Sequence, residues 1–175
     1  MKNILLLLAF ACGATAIHAQ SREFLQLSPT FTLKTDQLHQ SVGGHVCIGG
    51  NLGHGLFLGG GVDVYEFNGL DQPYIPVFGN ITIMPMERAG KVAMYATVQP
   101  GYGIYNNQTK VGNIGIETRG GFYFYGGLGI ATPPVKKTGL FIEAGVSSIN
   151  FTVTGSNQQP DPAMAFTLRA GLMLH

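Results

Sequence analysis

The chain has 175 residues, of which only 11% are charged and 26 are glycine, and its formal net charge is +1. Soluble domains average about 25% charged residues, so this chain lacks the charged skin that a water-facing surface needs. The near-zero balance, without a basic run, gives no case for nucleic acid, and the length allows one domain.

The N-terminus reads as a secretory signal peptide over residues 1–19. Lys2 supplies the positive start, residues 4–11 (ILLLLAFA) the apolar stretch, and Ile17-His18-Ala19 a small-residue cleavage site. The apolar stretch is too short to span a bilayer as a helix, which takes about 20 residues. A competing reading makes Cys12 the lipid-modified first residue of a lipoprotein, but Ala9-Phe10-Ala11 fits that motif poorly. Residues 20–175 then form the mature domain. Cys47 is its lone cysteine, so no internal disulfide can brace it.

Alternation of period two, punctuated by Gly, Pro, Asn and Asp clusters, predicts eight strands: 24–34, 41–51, 55–67, 72–83, 91–105, 119–132, 138–152 and 163–174. The first points Lys34 to one face, and the second points His45 and Cys47 there. The third sets Leu56, Leu58, Val62 and Val64 against Phe57, Gly59, Gly61, Asp63 and Tyr65. In the fifth, Val92, Met94, Ala96, Val98, Tyr102 and Ile104 oppose Tyr95, Thr97, Gln99, Gly101 and Gly103. The sixth opposes Phe122, Phe124, Leu128 and Ile130 to Gly121, Tyr123, Tyr125, Gly127 and Gly129. The seventh opposes Leu140, Ile142, Ala144 and Val146 to Phe141, Glu143, Gly145 and Ser147. The last opposes Met164, Phe166, Leu168, Ala170, Leu172 and Leu174 to Thr167, Arg169 and Gly171.

One face is aliphatic with Phe, and the other mixes Gly, Tyr, Thr and Gln with a few charges. A soluble barrel would turn the first inward; a membrane barrel would turn it toward lipid. Charge decides between them. No charge occurs from Val92 to Tyr105 or from Gly120 to Ile130, whereas Glu87, Arg88, Lys91, Lys110, Glu117 and Arg119 flank these strands. Most runs also reach the 9–11 residues or so that a tilted spanning strand needs. The expected fold is an all-β, eight-stranded antiparallel up-and-down transmembrane barrel. Its interior is just wide enough to be filled by side chains. Tyr123 and Tyr125 fit there only if Gly121, Gly127 and Gly129 leave room beside them.

The stretches PYIPVFGNITI, VQPGYGIY, GGFYFYGGLGI, FIEAGV and AFTLRAGLML, with a leader ending HAQ, resemble the small eight-stranded outer-membrane barrels of Bacteroidetes-type bacteria, related in shape to OmpA/OmpX-type barrels. The resemblance spans most of the mature chain and implies an outer-membrane location and insertion by the outer-membrane machinery. Such barrels usually end in an aromatic residue, whereas this chain ends Leu172-Met173-Leu174-His175.

The inward charges Lys34, His45, Asp63, Glu143 and Arg169 are the candidate site, read as a structural lumen ion-pair set because buried charges must pair. Tyr102, Phe122, Phe124 and Phe166 are candidates for an aromatic girdle at the outer interface. No catalytic, metal or cofactor site is expected: His45 and Cys47 are two ligands where zinc takes three or four, and GYG and GGLG precede no helix. His39, with Asp36 and Ser41, falls in one short turn, which gives a triad no rigid frame. With both termini periplasmic, outer loops are expected near 35–40, 68–72, 106–118 and 153–162, and inner turns near 52–54, 84–90 and 133–137. The function expected is a monomeric, non-enzymatic structural or surface-interaction barrel in outer-membrane lipid, its ligand unspecified. The alternatives are a narrow conduit through lumen glycines, a lipid-modifying enzyme, and a soluble secreted barrel. An arginine at Leu168 should disrupt insertion, and one at Thr167 should be milder.

Overall fold

The computed structural model describes residues 23–33, 40–67, 72–84, 92–111, 114–132, 138–154 and 162–174, with the side chains of 108–111 and 114–116 left aside. The expected signal peptide, Lys34, His39, His175 and most expected loop residues lie outside these. Nine strand segments follow in order: β1 (Glu23–Thr32), β2 (Ser41–Gly53), β3 (Leu56–Phe67), β4 (Ile75–Ile83), β5 (Ala93–Ile104), β6 (Asn106–Val111), β7 (Ile114–Ala131), β8 (Thr138–Thr154) and β9 (Ala163–Leu174). Sequential neighbours other than β5 and β6 pair antiparallel, β1 pairs with β9, and β5 pairs with β7, which closes the sheet. β5 and β6 both pair with β7 and are consecutive parts of one stave interrupted at Tyr105. The result is a closed barrel of eight staves, with Glu23 and Leu174, the first and last described residues, at one rim, here the terminal end; the opposite rim is the far end.

Within 106–118, expected as a loop, the described residues instead form a β-ribbon: Asn106–Val111 pairs with Ile114–Arg119. The Asn-Asn-Gln-Thr composition reads locally as a turn, but a partner strand already in register supplies the backbone bonds that local propensity does not. At the terminal end, β2 and β3 join through a two-residue turn, His54 at φ 53° and Gly55 at φ 76°, the left-handed pair that a twisted hairpin requires.

The two faces partition as in a barrel whose solvent is lipid. Met94 and Leu128 are 70% exposed on the outside, while Asp63, Tyr65, Tyr123 and Tyr125 are 0% exposed within. The alternation breaks at one place in β7. Gly120 opposes Phe151 and Tyr123 opposes Ile149, so β7 holds one residue more than β8 between them. This bulge buries both Gly120 and Gly121. A Cβ on Gly120 would strike the Gly103 carbonyl, so only glycine permits the close approach.

Candidate functional site: the charged lumen

The register brings four of the five expected lumen charges to one level. His45 of β2 lies opposite Asp63 of β3, and Glu143 of β8 lies opposite Arg169 of β9. Arg169 crosses the interior to join the two pairs. Its Nη2 donates to Asp63 Oδ2 at 2.7 Å, and its Nη1 donates to Glu143 Oε1 and Gln99 Oε1, each at 3.0 Å. The guanidinium also lies 4.0 Å from the centroid of the Tyr125 ring, a cation–π contact. Asp63 is bonded through both oxygens: Oδ1 to His45 Nδ1 at 2.6 Å, and Oδ2 also from the hydroxyls of Tyr65 at 2.8 Å and Tyr123 at 3.3 Å. His45 stacks flat on Phe78, with ring centroids 5.6 Å apart. Such convergence is what two buried carboxylates and a guanidinium require, because an unpaired charge at that depth would cost several kcal/mol.

Beside this cluster, Asn80, Thr82, Thr97 and Gln99 of β4 and β5 form a neutral hydrogen-bonded set. Asn80 Oδ1 accepts from Thr97 Oγ1 at 2.8 Å and from Gln99 Nε2 at 3.0 Å. Toward the far end, aromatic rings meet across the interior: Tyr65 lies tilted against Phe67, and Phe67 with Tyr74, Tyr74 with Phe151 and Phe151 with Tyr105 meet edge to face. At the terminal end Phe24 and Phe57 meet edge to face at 5.5 Å. A cavity of about 10 Å³, lined by Phe24, Gln26, Phe57, Thr82, Met84 and Met173, lies beside them; that is room for about one water.

Lumen glycines are where these rings go. A Cβ on Gly127 would collide with the Tyr125 hydroxyl, one on Gly129 with the Tyr95 ring, and one on Gly103 with Tyr74. Gly145 and Gly61 are covered in the same way by Tyr125 and Phe78. Gly121 differs from expectation: it belongs to the bulge and faces the Asn150 backbone rather than a tyrosine. The space that a conduit through lumen glycines would need is, at these positions, occupied by aromatic side chains.

All four girdle candidates point outward near the far end: Tyr102 and Phe122 are cross-strand partners, Phe124 lies two residues along β7, and Phe166 lies on β9. Phe31, exposed and one stave away opposite Leu168, extends the arc; its alternation with Thr30 and Thr32 is the signal that marks it. Tyr102 also donates from its hydroxyl to the Gly120 carbonyl at 2.8 Å, and Asn150 donates to the Phe122 carbonyl at 3.1 Å. Both acceptors belong to the bulged stretch of β7. Sequence reasoning gave Gln99 and Tyr65 a face but no role. It passed over the far-end aromatic cluster, although alternation past Ile149 puts Phe151 inside.

Among the described residues no three His, Cys, Asp or Glu side chains gather as metal ligands would. His54 is exposed in the terminal-end turn. No protein-family model and no curated protein matches the chain. The barrel is similar to Neisserial surface protein A. Against that crystal structure the TM-score is 0.66 with 10% identity, covering 89% of this chain and 98% of the other. NspA therefore shares the fold, while the lumen chemistry rests on this chain's own residues.

Proposed function

We propose that the chain is an integral outer-membrane barrel of a Gram-negative cell, monomeric and non-enzymatic, whose filled lumen makes it a structural or surface-interaction protein. The observation that carries the reading is the conjunction of an outward apolar wall with an interior closed by the Arg169 cluster. A wall exposing Met94, Leu128, Ile48, Leu140 and Ile142 needs hydrocarbon around it. An interior in which His45, Asp63, Gln99, Glu143 and Arg169 are 0–3% exposed offers no aqueous path between them. The likeness to a Neisserial surface protein supports a surface location, and the resemblance to Bacteroidetes-type barrels supports export by the leader and insertion with both termini in the periplasm. On that orientation the β6–β7 ribbon rises on the outer side, where loops carry specificity.

The conduit reading has lost its glycine path, and the soluble reading would need the two faces exchanged. A lipid-modifying activity would need its base and acid near the outer rim, where Asp36 and His39 lie outside the described residues and Ser41 is buried and bonded to Thr32. Two measurements test the proposal. The detergent-extracted protein should migrate differently on a gel before and after boiling, as folded membrane barrels do. In planar bilayers it should show no discrete channel openings. A stable single-channel conductance would replace this reading with the conduit.

A further inference from the structure

A closed barrel has no edge strand on which proline is harmless, yet three prolines sit inside its staves: Pro29 in β1, Pro76 in β4 and Pro100 in β5. Each lacks the N–H that a ladder bond needs, and each coincides with a gap on one side of its strand. β1 and β9 pair at Leu27–Leu172 and next at Thr30–Arg169, skipping Ser28 and Pro29. β3 and β4 pair at Val62–Val77 and next at Tyr65–Tyr74, skipping Pro76. β4 and β5 pair at Phe78–Gly101 and next at Ile81–Val98, skipping Pro100. By contrast, β1–β2 and β5–β7 each run through ten consecutive pairs.

The gaps are not evenly distributed. β1 and β5 each keep an unbroken ladder on their other flank. Of the three proline-bearing staves β4 alone is interrupted on both sides, and with 9 residues it is the shortest of the eight staves. On the lipid side it shows Gly79, with open space where a side chain would be. What holds β4 against β5 across the gap is inside: Asn80 accepts from Thr97 and Gln99, and Thr82 bonds Thr97 at 3.0 Å. Gln99 is in turn held by Arg169, and Phe78 of β4 lies between His45 and Tyr123.

We propose that β4 is a detachable stave, the part of the wall that opens, and that the Asn80–Gln99–Arg169 chain is the latch that keeps it shut. Two interrupted ladders lower the backbone cost of parting β4 from its neighbours, and the latch couples closure to the charge cluster at the centre. The opening would join the lumen sideways to the lipid rather than along the barrel axis. The inference depends on the barrel fold and not on what the protein binds.

Residue-resolved amide exchange of the folded barrel in detergent micelles tests it. In the unmodified protein, amides of Val77–Ile83 should exchange roughly tenfold faster than those at the same height in β2 and β8. Asn80→Ala should speed exchange in β4 further and leave β2 and β8 unchanged, whereas Pro100→Ala, which restores a donor, should slow it. Equal protection of β4, β2 and β8 in the unmodified protein would overturn the proposal with no variant needed. So would an Asn80→Ala effect spread evenly around the barrel.

Discussion

At the scale of single residues, the interior is solved as a packing problem between the smallest and some of the largest side chains. Gly129 and Tyr95 are one such pair: the ring occupies the volume a β-carbon would need. Gly129→Ala should therefore cost about 1–3 kcal/mol, the usual penalty for overpacking, measured as a lower urea midpoint with unchanged slope. Combining it with Tyr95→Leu should recover part of the loss. Charge obeys a stricter rule than volume. Arg169→Leu would leave Asp63 and Glu143 buried without their common cation, so about 3–5 kcal/mol should be lost in the same unfolding assay. Replacement of Thr167 by arginine, expected from the sequence to be milder than at Leu168, now belongs with the damaging changes. Thr167 is 0% exposed and bonded to Ser147 at 3.1 Å, so an arginine there would find neither space nor a free carboxylate nearby.

Elements show why some of this was legible and some was not. Alternation alone separates Tyr123 from Phe122 and Asp63 from Val64, because period two is a property of any strand. It also puts Glu143 and Arg169 on neighbouring strands before any coordinates exist. It does not reveal that Arg169 reaches Asp63, 106 positions away in sequence, since that depends on closure of the whole ring. Nor does it reveal the extra residue at Gly120–Gly121, because a glycine pair looks the same in an unbroken strand and in a bulge. The ribbon at 106–118 was hidden for a related reason: asparagine and glutamine signal turns, and the ladder that overrode them is non-local. The bulge leads to a prediction at this scale. Tyr102 covers the Gly120 carbonyl, and Tyr102→Phe removes that donor while keeping the ring in the girdle. A loss of about 1 kcal/mol is expected, with faster amide exchange confined to the far-end part of β7.

For the whole molecule the decisive property is which medium touches the wall, and one position separates the two answers cleanly. Leu128 is 70% exposed, points outward, and lies opposite Ala96 on one side and Ala144 on the other. Were water outside, an arginine at so open a site would change stability by no more than about 0.5 kcal/mol. Were hydrocarbon outside, the same cation would cost about 2–4 kcal/mol near the bilayer midplane. Thr154 serves as the control: it is exposed at the far end of β8, opposite Glu117, where a cation meets an acidic neighbour in either medium. Unfolding in phospholipid vesicles should thus show Leu128→Arg strongly destabilised and Thr154→Arg nearly unchanged. The filled lumen sharpens the comparison, because its bonds lie inside the wall and neither substitution reaches them. A selective loss at Leu128 would report on the surrounding solvent, and equal tolerance at both sites would place the apolar wall in water.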